Sequence, residues 1–270
     1  MTATMTADPR LIVPLDLPTV DEARDMIERL GDSVSFYKIG LELLATGGMG
    51  LAGELKKSGK QVFLDWKLHD IGATVERSAR VLAQAGCDLL TVHAEPQVMR
   101  SAVLARGSSD LKILAVTVLT SLTDADLNEM GYAFGARDLV ERRIRQAIDC
   151  GVDGVVSSPH EASLAREIAK GASRPDFLVV TPGVRPFWSA KNDQARAATP
   201  EAAIRAGASH LVCGRPITAA NDPREAALGA RGYVAETQDY NGDIEAIQVV
   251  GRTPVPVADP RARGVALVVK

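Results

Sequence analysis

The stretch "QVFLDWKLHDIGATV" (61–75) decides how this chain is read. Successive side chains of a β-strand point to opposite faces, so in "QVFLDWK" (61–67) Phe63, Asp65 and Lys67 share one face and Leu64 and Trp66 the other. The apolar pair suits a face packed against helices. The other face begins apolar and ends in a carboxylate and an ammonium, with Asp70 in the loop beyond. In an α/β barrel that places Asp65 and Lys67 toward the axis at the carboxyl end of the third strand, the end where such folds carry chemistry.

Seven further short apolar runs flank this one: "LIVPLDL" (11–17), "SFYKIG" (35–40), "LLTVHA" (89–94), "KILAVTV" (112–118), "GVVSS" (154–158), "FLVVTPG" (177–183) and "HLVCGR" (210–215). Between them lie segments of helical period, among them 20–30, 74–86, 138–151 and 161–171, several closed by glycine. "QAGCD", "DCGVD" and "RAGAS" repeat one helix–Gly–strand grammar. Eight strands alternating with helices predict parallel pairing covered on the outside, with the single-domain (β/α)8 TIM barrel as the closed solution and a doubly wound open sheet as the alternative.

The same alternation turns Lys38 inward at the end of the second strand and Asp16 inward at the end of the first. Four or five charges, counting Asp70, are then expected to converge. Two unit charges 4 Å apart interact by roughly 4 kcal/mol at an effective dielectric of 20, against a desolvation cost of several kcal/mol per ion. Alternating signs lower that cost. One Asp-x-Lys is compatible with a structural ion pair, whereas charges on three consecutive strand ends favour a site.

Two later segments suit an anion. "TPGVRP" (181–186) and "CGRPIT" (213–218) follow the seventh and eighth strands, where barrels of this class cradle phosphate, and they supply Arg185, Gly214 and Arg215. Gln194 lies in the long loop after the seventh strand. His69, His93, His160 and His210 show no metal-ligand spacing and read as structural or supporting imidazoles, so no metal is expected. Neither Gly-x-Ser-x-Gly nor Gly-x-Gly-x-x-Gly is present, which removes support for serine hydrolysis and dinucleotide binding.

The chain has 270 residues, 46% of them hydrophobic, and its 31 basic and 34 acidic residues give a formal charge of −3. No basic block tracks nucleic acid or a membrane surface. Cys87, Cys150 and Cys213 stand far apart in apolar or glycine-flanked contexts and read as buried thiols of a reducing compartment. With no signal-like N-terminus and no stretch near the ~20 apolar residues that span a bilayer, a cytoplasmic protein is expected. The expected domain is 9–228, followed by a tail, 229–270, with possible strands at 245–250 and 264–269 and either disorder or an edge hairpin.

Taken together, "LDLP", "YKIG", "FLDWKLHDI", "VTVLTS", "TPGVRP" and "CGRPIT" resemble the orotidine 5′-phosphate decarboxylase family over residues 9 to 228. The resemblance implies a cofactor-free lyase in which Lys67 donates the proton and Lys38, Asp65 and Asp70 complete a charge network. It further implies that Asp16 and Lys38 hold ribose hydroxyls, Thr74 lies near the same loop and Thr120 contacts the pyrimidine. Arg185, Gln194, Gly214 and Arg215 would bind phosphate, and Asp70 with Ile71 would reach a partner's site in a homodimer. The chain departs from the family at Gly72-Ala73, where many members have Pro-Asn, losing a fixed φ and a side-chain amide, and in its long tail. Rival readings are a metal-dependent sugar-phosphate decarboxylase or synthase of the same superfamily, and a catalytically silent nucleotide-binding barrel.

Overall fold

A computed structural model describes residues 7–186, 198–230, 246–250 and 253–257. Eight strands, β1 (Leu11–Pro14), β2 (Phe36–Ile39), β3 (Gln61–Leu68), β4 (Leu89–His93), β5 (Lys112–Val116), β6 (Gly154–Val156), β7 (Leu178–Thr181) and β8 (His210–Val212), form a closed barrel in chain order. Each neighbouring pair is parallel, and β1 pairs with β8 through Leu11↔Leu211 and Ile12↔Val212. That last pairing eliminates the open doubly wound sheet.

Helices cover the outside: α1 (Val20–Leu30), α2 (Leu41–Leu44), α3 (Gly48–Lys57), α4 (Gly72–Gln84), α5 (Pro96–Arg106), α6 (Asp124–Glu129), α7 (Ala136–Asp149), α8 (Ala162–Gly171), α9 (Pro200–Arg205), α10 (Arg215–Thr218) and α11 (Pro223–Ala230). Their sequences show why. In α7 the buried residues Ala136, Leu139, Val140, Ile144 and Ala147 recur at helical spacing, leaving Arg137, Asp138, Arg142, Arg145 and Asp149 exposed on the other side. Helix α1 starts where Thr19 Oγ1 accepts the backbone N–H of Glu22 at 3.2 Å, and ends at Gly31 with φ 53°. Helix α11 packs on α10 and α1.

Strand alternation divides the core in two. Ile12, Phe36, Phe63, Leu89, Leu114, Val180 and Val212 fill the barrel interior. Leu64, Trp66, Tyr37, Leu90 and Val179 face outward into the layer shared with the helices. Cys87, Cys150 and Cys213 are free, buried thiols. No described helix is long and apolar enough to cross a membrane.

A second unit contains an antiparallel hairpin of β9 (Ala246–Val250) and β10 (Thr253–Val257). The expected strand at 245–250 is thus present from Ala246, and its partner follows after two residues; the expected 264–269 strand lies outside the described residues.

Candidate active site

Three adjacent strands carry a chain of alternating charge. In register, Pro14 of β1 lies beside Lys38 of β2, and Lys38 beside Phe63 of β3. Asp16 and Asp65, each two residues further along, therefore flank the lysine. Lys38 Nζ lies 3.0 Å from Asp16 Oδ1 and 3.4 Å from Asp65 Oδ2, and Lys67 Nζ lies 2.9 Å from Asp65 Oδ1. Lys38 is only 8% exposed, which its two carboxylate neighbours make tolerable. Gly40 explains the end of "YKIG": a Cβ there would stand 2.8 Å from Asp16 Oδ1 and 3.2 Å from Lys38 Nζ.

Burial alone would raise the Asp65 carboxyl. Lys38, Lys67 and hydrogen bonds from Lys67 and Thr91 outweigh it and hold the group below the usual carboxylate range. Asp65 is thus a fixed anion between two ammonium groups.

Simple alternation does not explain how Lys67 arrives there. The β3–β4 register jumps from Leu64↔Leu90 to Leu68↔Val92, so four steps on β3 oppose two on β4. Lys67 sits within this irregularity at φ 47°, a left-handed conformation costing a non-glycine residue about 1–2 kcal/mol. Its backbone N–H leaves the ladder and donates to Thr91 Oγ1 at 2.9 Å, while the Thr91 hydroxyl lies 3.0 Å from Asp65 Oδ1. Strain of this kind persists where surrounding bonds over-determine it. Fully buried Thr91 pins the bulge and the central carboxylate together, a role the sequence reading missed. The signal was present, because Thr91 shares its face of "LLTVHA" with Leu89 of the barrel interior, where an unexplained hydroxyl needs a partner.

The charges open onto a cavity of about 190 Å³. Lys38, Asp65 and Lys67 line one side, Phe63, Val116, Val156 and Val212 form an apolar floor, and Leu119, Thr120 and Pro182 form the rim. A polar, charged side facing an apolar floor can hold a flat, partly polar ring while keeping water from the charges.

Of the four or five charges expected to converge, four do so within one chain, and Asp70 stands apart from them. Within one chain it is exposed, its Oδ1 accepts the N–H of Ile71 at 2.6 Å, and four charges form the array without it. Ile71 is 68% exposed, and Thr74 lies in the first turn of α4 with its Oγ1 accepting from Arg77 at 3.2 Å. None of these three lines the cavity of its own chain. Gly72 opens α4 two residues earlier than the expected 74, and a Cβ there would lie 2.8 Å from Ser101 Oγ on α5. Close packing on α5 thus favours glycine at this position.

The candidate anion loops follow adjacent strands. Val184 bridges to Ala198, and the Arg185 N–H donates to the Ala198 carbonyl at 2.9 Å. The Gly214 carbonyl accepts from Ile217 and Thr218, placing Arg215 at the start of α10. Burial pushes the Cys213 thiol, one residue beyond β8, up to about 12, with the Arg185 charge opposing. Gln194 lies outside the described residues.

Of the histidines, His210 lies edge-on to Phe36 and 3.2 Å from Ser209 Oγ, and His160 sits in an exposed turn. His69 and His93 stack at 4.7 Å beside the array. Burial is the largest influence on His93 and lowers its pKa, with Lys67 among the cations acting the same way.

Comparison with known families places this geometry. The model of the family described as Orotidine 5'-phosphate decarboxylase / HUMPS matches residues 9–230. The chain belongs to that family. Two curated relatives named orotidine 5′-phosphate decarboxylase are especially similar. One, from Caulobacter vibrioides strain NA1000 / CB15N, is 84% identical over 83% of this chain and 96% of its own length. The other, from Caulobacter sp. strain K31, is 81% identical over 86% of this chain and 99% of its own. The crystal structure of orotidine 5′-phosphate decarboxylase from Lactobacillus acidophilus aligns with a TM-score of 0.70 at 38% identity, covering 82% of this chain and 96% of that one. These family members are spanned almost completely, whereas a substantial part of this chain has no counterpart in them.

Proposed function

We propose that this chain decarboxylates orotidine 5′-phosphate to uridine 5′-phosphate and CO2 without a cofactor, with Lys67 as the proton donor. The observation that carries the reading is Asp65, an anion bonded on one side to Lys67 and on the other to Lys38 at the wall of an apolar-floored cavity. The relatives' names support the same reaction.

Loss of CO2 breaks the bond from C6 to the carboxyl carbon and leaves the electron pair on C6, in an orbital the pyrimidine π-system cannot delocalise. The stabilisation has to be electrostatic. An ammonium beside C6 interacts weakly with the neutral carbon of the substrate and strongly with the developing carbanion, so it lowers the barrier rather than merely tightening binding. The Lys67 N–H then transfers its proton to C6, completing uridine 5′-phosphate, and solvent reprotonates the amine. Because Thr91 and Asp65 fix the lysine in advance, little reorganisation accompanies the reaction.

In this reading Asp16 and Lys38 bind the ribose, Thr120 meets the pyrimidine from the rim, and Arg185, Gln194, Gly214 and Arg215 bind the phosphate. Arginine offers a planar fork matched to phosphate oxygens, and energy gained there, remote from C6, supports orientation at the reacting carbon. The exposed Asp70 and Ile71 reach into the site of a second copy, making the working enzyme a homodimer. The catalytic unit is 9–228, with 229–270 appended to it.

The test is loss of orotidine 5′-phosphate absorbance catalysed by chelator-treated protein. Full turnover after chelation is expected. Activity that disappears with the chelator and returns with a divalent cation would favour the sugar-phosphate branch of the family, and complete inactivity would favour a silent barrel. Among the described residues, no three His, Cys, Asp or Glu side chains gather as a metal site.

A further inference from the structure

Beside the cavity runs a second polar chain that no step of the proposed reaction uses. Arg143 of α7 is deeply placed, its side chain 12% exposed, and its guanidinium reaches three loops at once. It donates to the Thr117 carbonyl at the end of β5, to Tyr132 Oη at 3.1 Å, and to Glu95 Oε1 at 3.4 Å, while its plane lies 5.4 Å from the Tyr132 ring centroid. Thr117 is three residues ahead of Thr120. Glu95 ends the connection from β4 to α5, and its other oxygen, Oε2, is buried without a hydrogen bond. That oxygen lies 3.6 Å from Nε2 of His69, one residue ahead of Asp70. The His93 ring, stacked on His69 at 4.7 Å, backs the same contact.

A buried carboxylate oxygen lacking a donor is costly, and here the His69 Nε2 stands just beyond bonding distance. A small inward shift of the Asp70 loop would satisfy it. We infer that Arg143 and Glu95 are positioning residues that tie the rim loop carrying Thr120 to the loop carrying His69 and Asp70, so that ordering of the pyrimidine contact in one site is coupled to ordering of the loop the same chain lends to the second copy's site. The inference rests on the decarboxylation reading of the cavity, since it assigns both loops to the substrate.

Lysine at 143 keeps the charge but cannot fork to three acceptors, and glutamine at 95 keeps the shape but loses the charge that faces His69. Amide hydrogen exchange in segments 68–74 and 117–123 is measured for wild type, Arg143→Lys, Glu95→Gln and the double variant, with turnover of orotidine 5′-phosphate alongside. Either single change is expected to speed exchange in both segments, including 68–74, which Arg143 does not touch, and to lower kcat by roughly 10- to 100-fold with little change in KM. The double variant is expected to be no worse than the poorer single, because one break opens the whole relay. Exchange confined to 117–123 in Arg143→Lys, or losses that multiply in the double variant, would overturn the relay. Glu95→Gln, at a half-exposed position, decides the matter if Arg143→Lys fails to fold: unchanged exchange in 68–74 contradicts the proposal. A wild type that exchanges as expected but turns over no orotidine 5′-phosphate would instead defeat the decarboxylation reading, leaving the mechanical link standing.

Discussion

Lys67→Ala is expected to fold, to bind uridine 5′-phosphate, and to lose turnover by a factor on the order of 10⁴ or more. The fold should survive because Asp65 keeps Lys38 at 3.4 Å and the Thr91 hydroxyl at 3.0 Å, so no uncompensated buried charge is left behind. Binding should survive because the groups assigned to ribose and phosphate are elsewhere. Turnover should not, because one substitution removes both the cation facing the carbanion and the proton that quenches it. Steady-state kinetics beside a nucleotide-binding titration checks the split. Substantial residual turnover would refute the assignment of the donor. The same variant probes the shared site. Mixed with an inactive Asp70→Ala variant, it should recover up to about a quarter of wild-type activity per subunit under random re-assortment, since a hybrid dimer has one site with both groups intact. Recovery absent at every mixing ratio would mean that Asp70 acts within its own chain or not at all.

Asp65→Asn carries the second large effect, and it falls on stability as well as chemistry. The amide preserves shape but leaves Lys38 and Lys67 facing each other across a group that no longer balances them. Breaking a buried ion pair from one side costs about 3–5 kcal/mol, and the lower end is expected here because Lys38 retains Asp16 at 3.0 Å. The pH dependence has a definite sign. Since the Asp65 pKa is depressed in the folded chain, its contribution is fully present above the unfolded carboxylate value, about 3.9, and is lost as pH falls through the lower folded value. The stability gap between wild type and Asp65→Asn, read by denaturant unfolding, should therefore be widest near neutrality and shrink below about pH 4. A gap that stays constant into acid would show that Asp65 is not the fixed anion described.

Much of this site is legible in the sequence because strand alternation is a strong rule. It sends Asp16, Lys38 and Asp65 to the axis from three successive strands, and the observed contacts follow. Lys67 reaches its expected place by a different route. Alternation assumes regular pleating, whereas the chain jumps register between Leu64 and Leu68 and turns Lys67 to positive φ. A bulge depends on a partner across the ladder, here Thr91, and such partnership is tertiary information. Asp70 is left open between four charges and five for a related reason: adjacency in sequence to a charged strand end does not say whether a loop carboxylate lies over its own barrel, and within one chain it is exposed. Gly72 shows the converse, a residue whose meaning lies in Ser101 on the neighbouring helix rather than in its own loop. The Arg143–Glu95–His69 chain links positions 48 and 26 residues apart, beyond the reach of any local pattern.

The most direct test is a crystal structure of the protein with uridine 5′-phosphate bound. If Lys67 delivers the proton, its Nζ will lie about 3–3.5 Å from C6 of the pyrimidine, with Asp65 still between the two lysines and the phosphate against Arg185 and Arg215. A nucleotide whose C6 faces away from residue 67, with that amine turned to bulk water, would contradict the reading at its root.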